Sequence, residues 1–405
     1  MKIGEFSTIN KISIETVRHY IDLGLIIPYK NGAQYEFNEK CQKELENILE
    51  LKSLGFTLNE IKSIFVYETL GKLSVTEKNN ILHDIFTLKQ KEINKKINEL
   101  VEIDNKLIKQ IKNINEIEVK RNFNLGIDIK NLNLLSCIVC GGDLYLEEGN
   151  IKDNYILDGK LKCSCGKGYS VKSGILIVDE YLEKSSNEIY NNIIEDYIKE
   201  TDENYILNVR KGLDWTCNKL CQINFSDKVI LEIGTGLGFL LRNLYNDLDN
   251  SSIYIAIDNN IGKHIYLKSL IERSDLKKNI MFICTDFKYI PIKAKSIDLF
   301  LDYGGSSNYW FEQNDFSIKD ILKYLKEDSY VGLSYILFEK FALSNFIQEE
   351  NRKNFNINHI KEEISKYNFN MISEQKSDYL NKPSIYEDYF SNSEEVYSYL
   401  YFGKR

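Results

Sequence analysis

Proline is almost missing from this chain, with three among 405 residues. Domain boundaries therefore have to be read from changes in pattern rather than from Pro-rich linkers. Long apolar runs are missing too. Hydrophobic residues make up 43% of the chain, yet no run approaches the roughly 18 residues a membrane span needs, so no membrane association is expected. The amino terminus, MKIGEFSTINKISIETVRHY, lacks the charged start, apolar core and small-residue cleavage site of a secretory signal, which sets the expectation of a cytoplasmic chain. Disulfides rarely persist in that compartment, and the eight cysteines read as thiols or metal ligands.

Length and charge bound the rest. At roughly 100–200 residues per domain the chain should hold two to four. The net charge of −8 is unevenly spread: residues 1–70 carry 8 basic against 10 acidic side chains, 71–121 carry 11 against 8, 122–180 carry 6 against 8, and 181–405 carry 27 against 34. An acidic carboxy-terminal part is a poor host for a long phosphate backbone. Small molecules or proteins are the better substrates for it.

Residues 1–70 read as four short helices separated by turns. Ser13 precedes IETVRHYIDLG, Thr57 and Glu60 form a capping box opening TLNEIKSIF, and Gly24 and Gly55 close helices. An extended PYKNGAQYEF stretch follows the first helix pair, which makes a winged helix-turn-helix pattern. The string MKIGEFS…SIETVRHYIDLGLIIP…LKSLGFTLNEIKSI resembles the DNA-binding domain of the MerR family of transcription regulators over nearly all of these residues. The resemblance implies that the second helix enters the major groove of promoter DNA, through Thr16, Arg18, His19 and Tyr20, with Lys30 and Tyr35 on or near the wing. Family members usually place an arginine in the wing, where this chain has Gln34, Tyr35 and Glu36. The alternative is a winged helix that serves as a protein-interaction module.

Residues 71–121 read as one long helix, capped by Ser74 with Glu77 three residues on and free of Gly and Pro from there to about Glu118. Ile93, Ile97, Leu100, Leu107, Ile111 and Ile114 recur at alternating three- and four-residue steps, with Asp104 breaking the seam and Ile103 beside it. A single stripe cannot bury itself, so a coiled-coil homodimer is expected. In the MerR family the corresponding helix pairs antiparallel with its twin. The alternative is an amphipathic helix packed on its own chain. His83 has no metal-ligand spacing and reads as surface.

Cys137 and Cys140 lie in LLSCIVCGGDL, Cys163 and Cys165 in GKLKCSCGKGYSV. Two close pairs separated by a strand-and-turn segment suit a structural zinc ion held by four thiolates, which leave no open position for chemistry. The segment, taken as 130–180, resembles the small zinc ribbons similar to activator subunits of tRNA methyltransferases. Those ribbons have two residues between the second pair of cysteines, whereas only Ser164 stands here. Cys217 and Cys221, four apart, read as core, and Cys41 sits among polar residues on a helix.

Residues 181–224 read as a helical linker, and 225–405 as an α/β Rossmann-like domain. VILEIGTGLGFLLRNLY is an apolar strand followed by three glycines at alternate positions and a helix. Gly234 and Gly236 let backbone approach a ligand, and Gly238 permits close packing. The second strand, YIAID, ends in Asp258, a carboxylate able to accept both ribose hydroxyls. IMFICTDF and KYIPIKAKSIDLFLDYGG supply two more strands, and SYVGLSYILF, FNMISEQ and EEVYSYLYFGK a further three. Residues 229–303 resemble the first four motifs of class I S-adenosylmethionine-dependent methyltransferases, which implies a seven-stranded sheet and a bound methyl donor. The resemblance puts Glu232, Gly234, Thr235, Gly236 and Gly238 in the first motif near the cofactor's amino-acid end, Asp258 on the ribose, and Asp286 and Phe287 beside the adenine. A nicotinamide dehydrogenase is the rival, disfavoured by Glu232 and the TDF…IPIKAKSID string.

The acceptor is not legible. DYGGSSNYW lacks the Asn or Asp before two prolines common in methylases of base amino groups. Asp302, Asn308 and Tyr309 stand where an acceptor should enter, and Asp302 reads equally as a turn cap before Gly304. The whole describes a multidomain regulator fused to a methyltransferase acting on a small molecule. Its alternatives are a regulator that senses S-adenosylmethionine without turnover, and an RNA methylase, against which the acidic residues 181–405 argue.

Overall fold

The computed structural model describes residues 1–32, 34–70, 74–115, 122–178, 193–311, 318–342 and 344–405. They fall into two compact units, Met1–Glu118 and Val119–Arg405. Among the described residues no helix is long and apolar enough to cross a membrane.

The first unit contains α1 (Ile3–Asn10), α2 (Ile14–Asp22), a hairpin of β1 (Tyr29–Asn31) and β2 (Gln34–Glu36), α3 (Glu39–Ser53), α4 (Leu58–Leu70) and α5 (Val75–Asn115). The caps act where the sequence puts them. Ser13 Oγ accepts from Thr16 N at 3.0 Å, while the Glu60 and Glu77 carboxylates accept the N–H groups of Thr57 and Ser74 at 2.7 and 2.9 Å. Each such cap stabilises its helix by about 1 kcal/mol. Val17 and Tyr20 of α2 face Leu45 and Ile48 of α3 in one buried core, with Phe6 stacked on Phe37 at 4.5 Å.

Only the start of α5 packs on that core. Leu82 and Ile85 lie against it, and Lys89 bonds Glu60 at 3.0 Å. Ile93 still reaches Gly55 with its Cδ1, and beyond it the stripe is in solvent: Ile97 is 50% exposed, Leu100 65% and Ile114 66%. Packing on its own unit is therefore ruled out for that stretch among the described residues. The ends expected at 71–73 and 116–121 lie outside the described residues.

The second unit opens with β3 (Ile127–Asp128), β4 (Leu144–Lys152), β5 (Tyr155–Cys163), β6 (Gly168–Lys172) and β7 (Ile175–Ile177). It continues with α6 (Ile193–Glu200), α7 (Glu203–Leu220), β8 (Val229–Ile233), α8 (Phe239–Leu244), β9 (Ile253–Asp258), α9 (Ile261–Ile271) and β10 (Ile280–Cys284). It ends with β11 (Ile297–Tyr303), α10 (Gly305–Trp310), α11 (Ile318–Ile321), β12 (Leu325–Lys340), α12 (Ile357–Lys366), β13 (Asn370–Lys376) and β14 (Glu395–Lys404). The strands make one sheet in the order β13-β14-β12-β11-β8-β9-β10-β7-β6-β5-β3, with β4 on β5. From β12 to β7 all neighbours are parallel, whereas β14 is antiparallel to both β12 and β13.

Strands buried on both faces explain the unbroken apolar runs in the sequence. Leu231, Ile255 and Ile283 face one core; Ile230, Tyr254 and Phe282 face the other.

Three expectations change here. The expected sheet of seven strands, β8 to β14, is contiguous but extends further, because Ile175–Ile177 pairs in parallel with Phe282–Cys284. For the same reason the cysteine segment is not a separate domain: Leu161, Tyr169 and Cys163 share a core with Ile255 and Ile283. Nor is 181–224 simply a linker. Residues 181–192 lie outside the described residues, but Leu213 and Leu220 of α7 are buried against Ile230 and Phe402.

Candidate functional site

A parallel sheet whose strand order reverses leaves a crevice at the carboxyl ends of the strands flanking the reversal. Here that point lies between β8 and β11. A cavity of about 440 Å³ opens there, lined by Gly234, Gly236, Asp258, Asp286, Phe287, Asn308 and Tyr309 among the expected residues. Ile257, Asn259, Lys263, Thr285 and Gly305 line it as well. These five carry no motif of their own in the sequence, apart from the position of Asn259 and Lys263, polar residues that open a helix directly after a strand-end aspartate.

The loop after β8 is shaped by two separate needs for glycine. A Cβ at Gly234, where φ is +60°, would sit 2.5 Å from the Cα of Gly305, so only glycine lets these two backbones touch. At Gly236, with φ of +55°, a Cβ would meet nothing closer than 3.8 Å and would point into open space. Gly238 is spent on packing, its missing Cβ making room for Leu267 of α9.

Asp258 is held rigidly. Its carboxylate accepts the N–H of Gly236 at 2.8 Å and that of Asn260 at 2.9 Å, which ties the end of β9 to the glycine loop. Thr235 N donates to Ile257 O at 3.0 Å across the same gap. On the far wall Asp286 accepts from Lys288 N at 2.8 Å, and the rings of Phe287 and Tyr309 meet edge to face with centroids 4.9 Å apart.

Several expected site residues do not reach the cavity. Glu232 is 1% exposed and accepts from Tyr254 Oη at 2.7 Å in the opposite core, where burial pushes its carboxyl up to about 8. Thr235 and Gly238 are buried in the loop's own packing. Asp302 accepts Ser306 N at 3.0 Å and the Ser306 hydroxyl, and burial pushes it up to about 6. It caps the start of α10, which is the second of its two readings, whereas Asn308 and Tyr309 of that helix do line the cavity.

Four sulfurs converge elsewhere in this unit. The Sγ atoms of Cys137, Cys140, Cys163 and Cys165 all lie within 4.8 Å of one another, with Cys137–Cys165 at 3.6 Å and Cys140–Cys163 at 3.4 Å. Four thiolates at a zinc–sulfur distance of about 2.3 Å stand roughly 3.8 Å apart, so the cluster fits that ion. Val139 N donates to Cys137 Sγ at 3.4 Å, and a Cβ on Gly142 would come within 3.2 Å of Cys163 Sγ. The single residue between Cys163 and Cys165 suffices because Cys163 ends β5 and the chain turns at Gly166, whose N–H donates to Cys163 O at 2.8 Å. Of the other cysteines, Cys41 is buried despite its polar neighbours in sequence, and Cys221, expected in the core, is exposed.

In the first unit Arg18 and His19 are exposed on α2 and Thr16 is half-buried. Lys30 and Tyr35 are cross-strand partners in the hairpin. Tyr20 has to be removed from the expected DNA-reading set: it is 2% exposed, and its hydroxyl accepts from Lys52 Nζ at 3.3 Å.

Comparison with known proteins follows the same division. Among solved structures the chain is similar to the cyclopropane synthase MmaA2 from Mycobacterium tuberculosis, at 12% identity and a TM-score of 0.36 over 48% of this chain and 82% of that one. It is also similar to a SAM dependent methyltransferase from Aquifex aeolicus, at 12% identity and 0.31 over 46% and 88%. Likeness at that level assigns no activity. Residues 1–68 match the model of the MerR HTH family regulatory proteins. The HTH-type transcriptional regulator ZntR homolog of Haemophilus influenzae is 34% identical over 110 residues, 27% of this chain and 78% of that protein. With four helices, three of them capped by Ser13, Asn38 and Thr57–Glu60, and a two-stranded wing behind that match, the chain belongs to the MerR family of helix-turn-helix regulators.

Proposed function

We propose that this chain is a promoter-binding regulator whose second unit binds S-adenosylmethionine and methylates a small molecule. The observation that carries the reading is Asp258, fixed by two backbone amides at the mouth of a cavity that sits at the sheet's reversal point. A carboxylate so placed can accept both hydroxyls of a ribose. A cavity of about 440 Å³ has the size of a small-ligand site. Dinucleotide-binding sheets run 3-2-1-4-5-6 with parallel strands. Counted from β8, the strands here run 3-2-1-4-5-7-6 with the last antiparallel, which weighs against a nicotinamide cofactor.

In this reading Gly236 leaves room for the ligand, Gly234 lets the loop lie against Gly305 in the cavity wall, Asp258 takes the ribose, and Asp286 with Phe287 flanks the adenine. When bound, S-adenosylmethionine supplies a methyl group already activated on a sulfonium. The chain then has mainly to orient an acceptor and exclude water, which needs no strong base. Asn308 and Tyr309 stand at the acceptor edge. The four thiolates would hold zinc as a structural ion. Thr16, Arg18 and His19 would meet the major groove, with Lys30 and Tyr35 on the wing against phosphates. The exposed stripe of α5 would join two copies.

A second reading, a regulator that senses the methyl donor without turnover, rests on one observation: Asp302, the acid nearest the acceptor edge in sequence, is occupied by Ser306. Mixing the protein with S-adenosylmethionine and a cell metabolite extract separates the two. Release of S-adenosylhomocysteine with the extract but not without it marks an enzyme; binding with no release in either case marks a sensor.

A further inference from the structure

One wall of the cavity is held from outside by the cysteine segment. Thr285, Asp286 and Phe287 leave the end of β10 and line the cavity. Just before them, Phe282–Cys284 pairs with Ile175–Ile177 of β7, and Val178 N donates to Cys284 O at 3.1 Å. Just after them, residues 290–293 run antiparallel to residues 134–136. Ser136 N donates to Pro291 O at 3.0 Å, Lys293 N donates to Leu134 O at 2.9 Å, and Leu135 bridges Ile292. Lys293 Nζ adds an ion pair at 2.8 Å with Asp143, three residues beyond Cys140.

The two holds come from different stretches of chain, and the four sulfurs stand where those stretches meet. Residues 134–136 lead directly into Cys137 and Cys140. Cys163 and Cys165 stand at the turn from β5 to β6, and β6 is the antiparallel neighbour of β7. Tyr169 of β6 donates its hydroxyl to Cys137 Sγ at 3.3 Å and accepts Ile138 N at 2.9 Å, so the stretches also touch beside the sulfurs. Thiols make only weak hydrogen bonds, whereas four zinc–thiolate bonds contribute far more. A metal ion there fixes the distance between the two holds, and with it the position of Asp286 and Phe287. Tyr324 Oη supports the same segment without the ribbon, donating to Ile290 O at 2.9 Å. Loss of metal should therefore shift the wall rather than dissolve it.

We propose that the metal held by the four cysteines positions the adenine wall of the cavity, so that metal and cofactor strengthen each other's binding. The inference rests on the proposed zinc and cofactor readings, and adds that the cluster sets cofactor recognition as well as stability. The effect is reciprocal, because two ligands that favour one arrangement of the wall share a single coupling free energy. The ribose end should feel it less. Asp258 is fixed by Gly236 N and Asn260 N, neither of which belongs to the ribbon.

Calorimetry on the full-length protein tests this with S-adenosylhomocysteine and S-inosylhomocysteine, in which an oxo group replaces the donating amine of adenine. The Asp286 carboxylate has acceptor sites beyond the one that takes Lys288 N, so it can receive the amine and would face the oxo group unfavourably. The ratio of the two affinities thus reads the adenine wall. Zinc-loaded protein should favour the adenine ligand about tenfold. Protein stripped by a chelator under reducing conditions should lose that preference, bind S-adenosylhomocysteine about tenfold more weakly, and regain both when zinc is returned. Ser136→Pro removes the N–H that reaches Pro291 and should lose the preference while metal analysis still finds its zinc. Leu135, at φ −83° and ψ 148°, already has backbone suited to precede a proline. That variant decides the matter if stripped protein binds neither ligand. A loaded protein without the preference would overturn the inference. So would a preference kept in both stripped protein and Ser136→Pro, even with both ligands weakened equally, since the metal would then serve stability alone. Absence of S-adenosylhomocysteine binding to loaded protein, or of zinc in the protein as purified, would instead overturn the reading on which the inference rests.

Discussion

The hydroxyl of Tyr254 donates to the carboxyl of Glu232 at 2.7 Å, between neighbouring strands and away from the cavity. The acid of the first glycine-rich motif is therefore an internal part of the sheet. Burial pushes Glu232 up to about 8, above the 4.5 of a free glutamate. A raised carboxyl favours the folded state while it stays protonated. That contribution is complete below about pH 4.5 and is lost as pH rises toward 8. The melting temperature of the wild-type chain should accordingly fall between pH 5 and 8.5 more steeply than that of Glu232→Gln. Parallel curves would show that the buried carboxyl does not control the pH dependence.

The cysteine cluster shares a core with the central strands, so metal loss should be felt beyond the ribbon. About one zinc per chain is expected by metal analysis under reducing conditions, with Cys137→Ser and Cys165→Ser each losing it and lowering the melting temperature by several degrees. Reduced protein without zinc would remove the assignment.

Leu100 and Ile111 are 65% and 57% exposed on a helix about 60 Å long. The full chain should sediment as a dimer at tens of micromolar, and Leu100→Asp together with Ile111→Asp should give monomers. A wild-type monomer at that concentration would count against the coiled coil.

DNA binding turns on α2. Arg18→Ala should weaken binding to the chain's own promoter region about tenfold and flatten its salt dependence. Tyr20→Ala should instead lower stability by about 3 kcal/mol, since Tyr20 is core. Equal DNA affinity of wild type and Arg18→Ala would favour a protein-interaction role for the wing and its helices.

What was readable in the sequence was local. Ser13, Thr57–Glu60 and Ser74–Glu77 announce their helices because a cap needs only its own next three residues. The glycine loop and Asp258 were legible as one strand-turn-helix unit with the next strand. Tyr20 could have been placed in the core from its spacing of three from Val17, a helical face that the family resemblance outweighed. Contacts set by distant partners stayed hidden. The pairing of Ile175–Ile177 with Phe282–Cys284 spans more than a hundred residues, and no local pattern joins a ribbon strand to a parallel sheet. Ser306 could not be seen to occupy Asp302.

The account stands on Asp258 and Gly236, joined by one hydrogen bond at the cavity mouth. Titration calorimetry with S-adenosylhomocysteine tests them without knowledge of the acceptor. Asp258→Ala should cost roughly 1–3 kcal/mol, or about tenfold to hundredfold in affinity, because the ligand's ribose hydroxyls lose their acceptor. Gly236→Val should bind more weakly still, since its side chain would enter the open space beside Gly236 and strain a φ of +55°. Equal affinity in wild type and both variants, or tight binding of NAD in place of S-adenosylhomocysteine, would contradict the assignment.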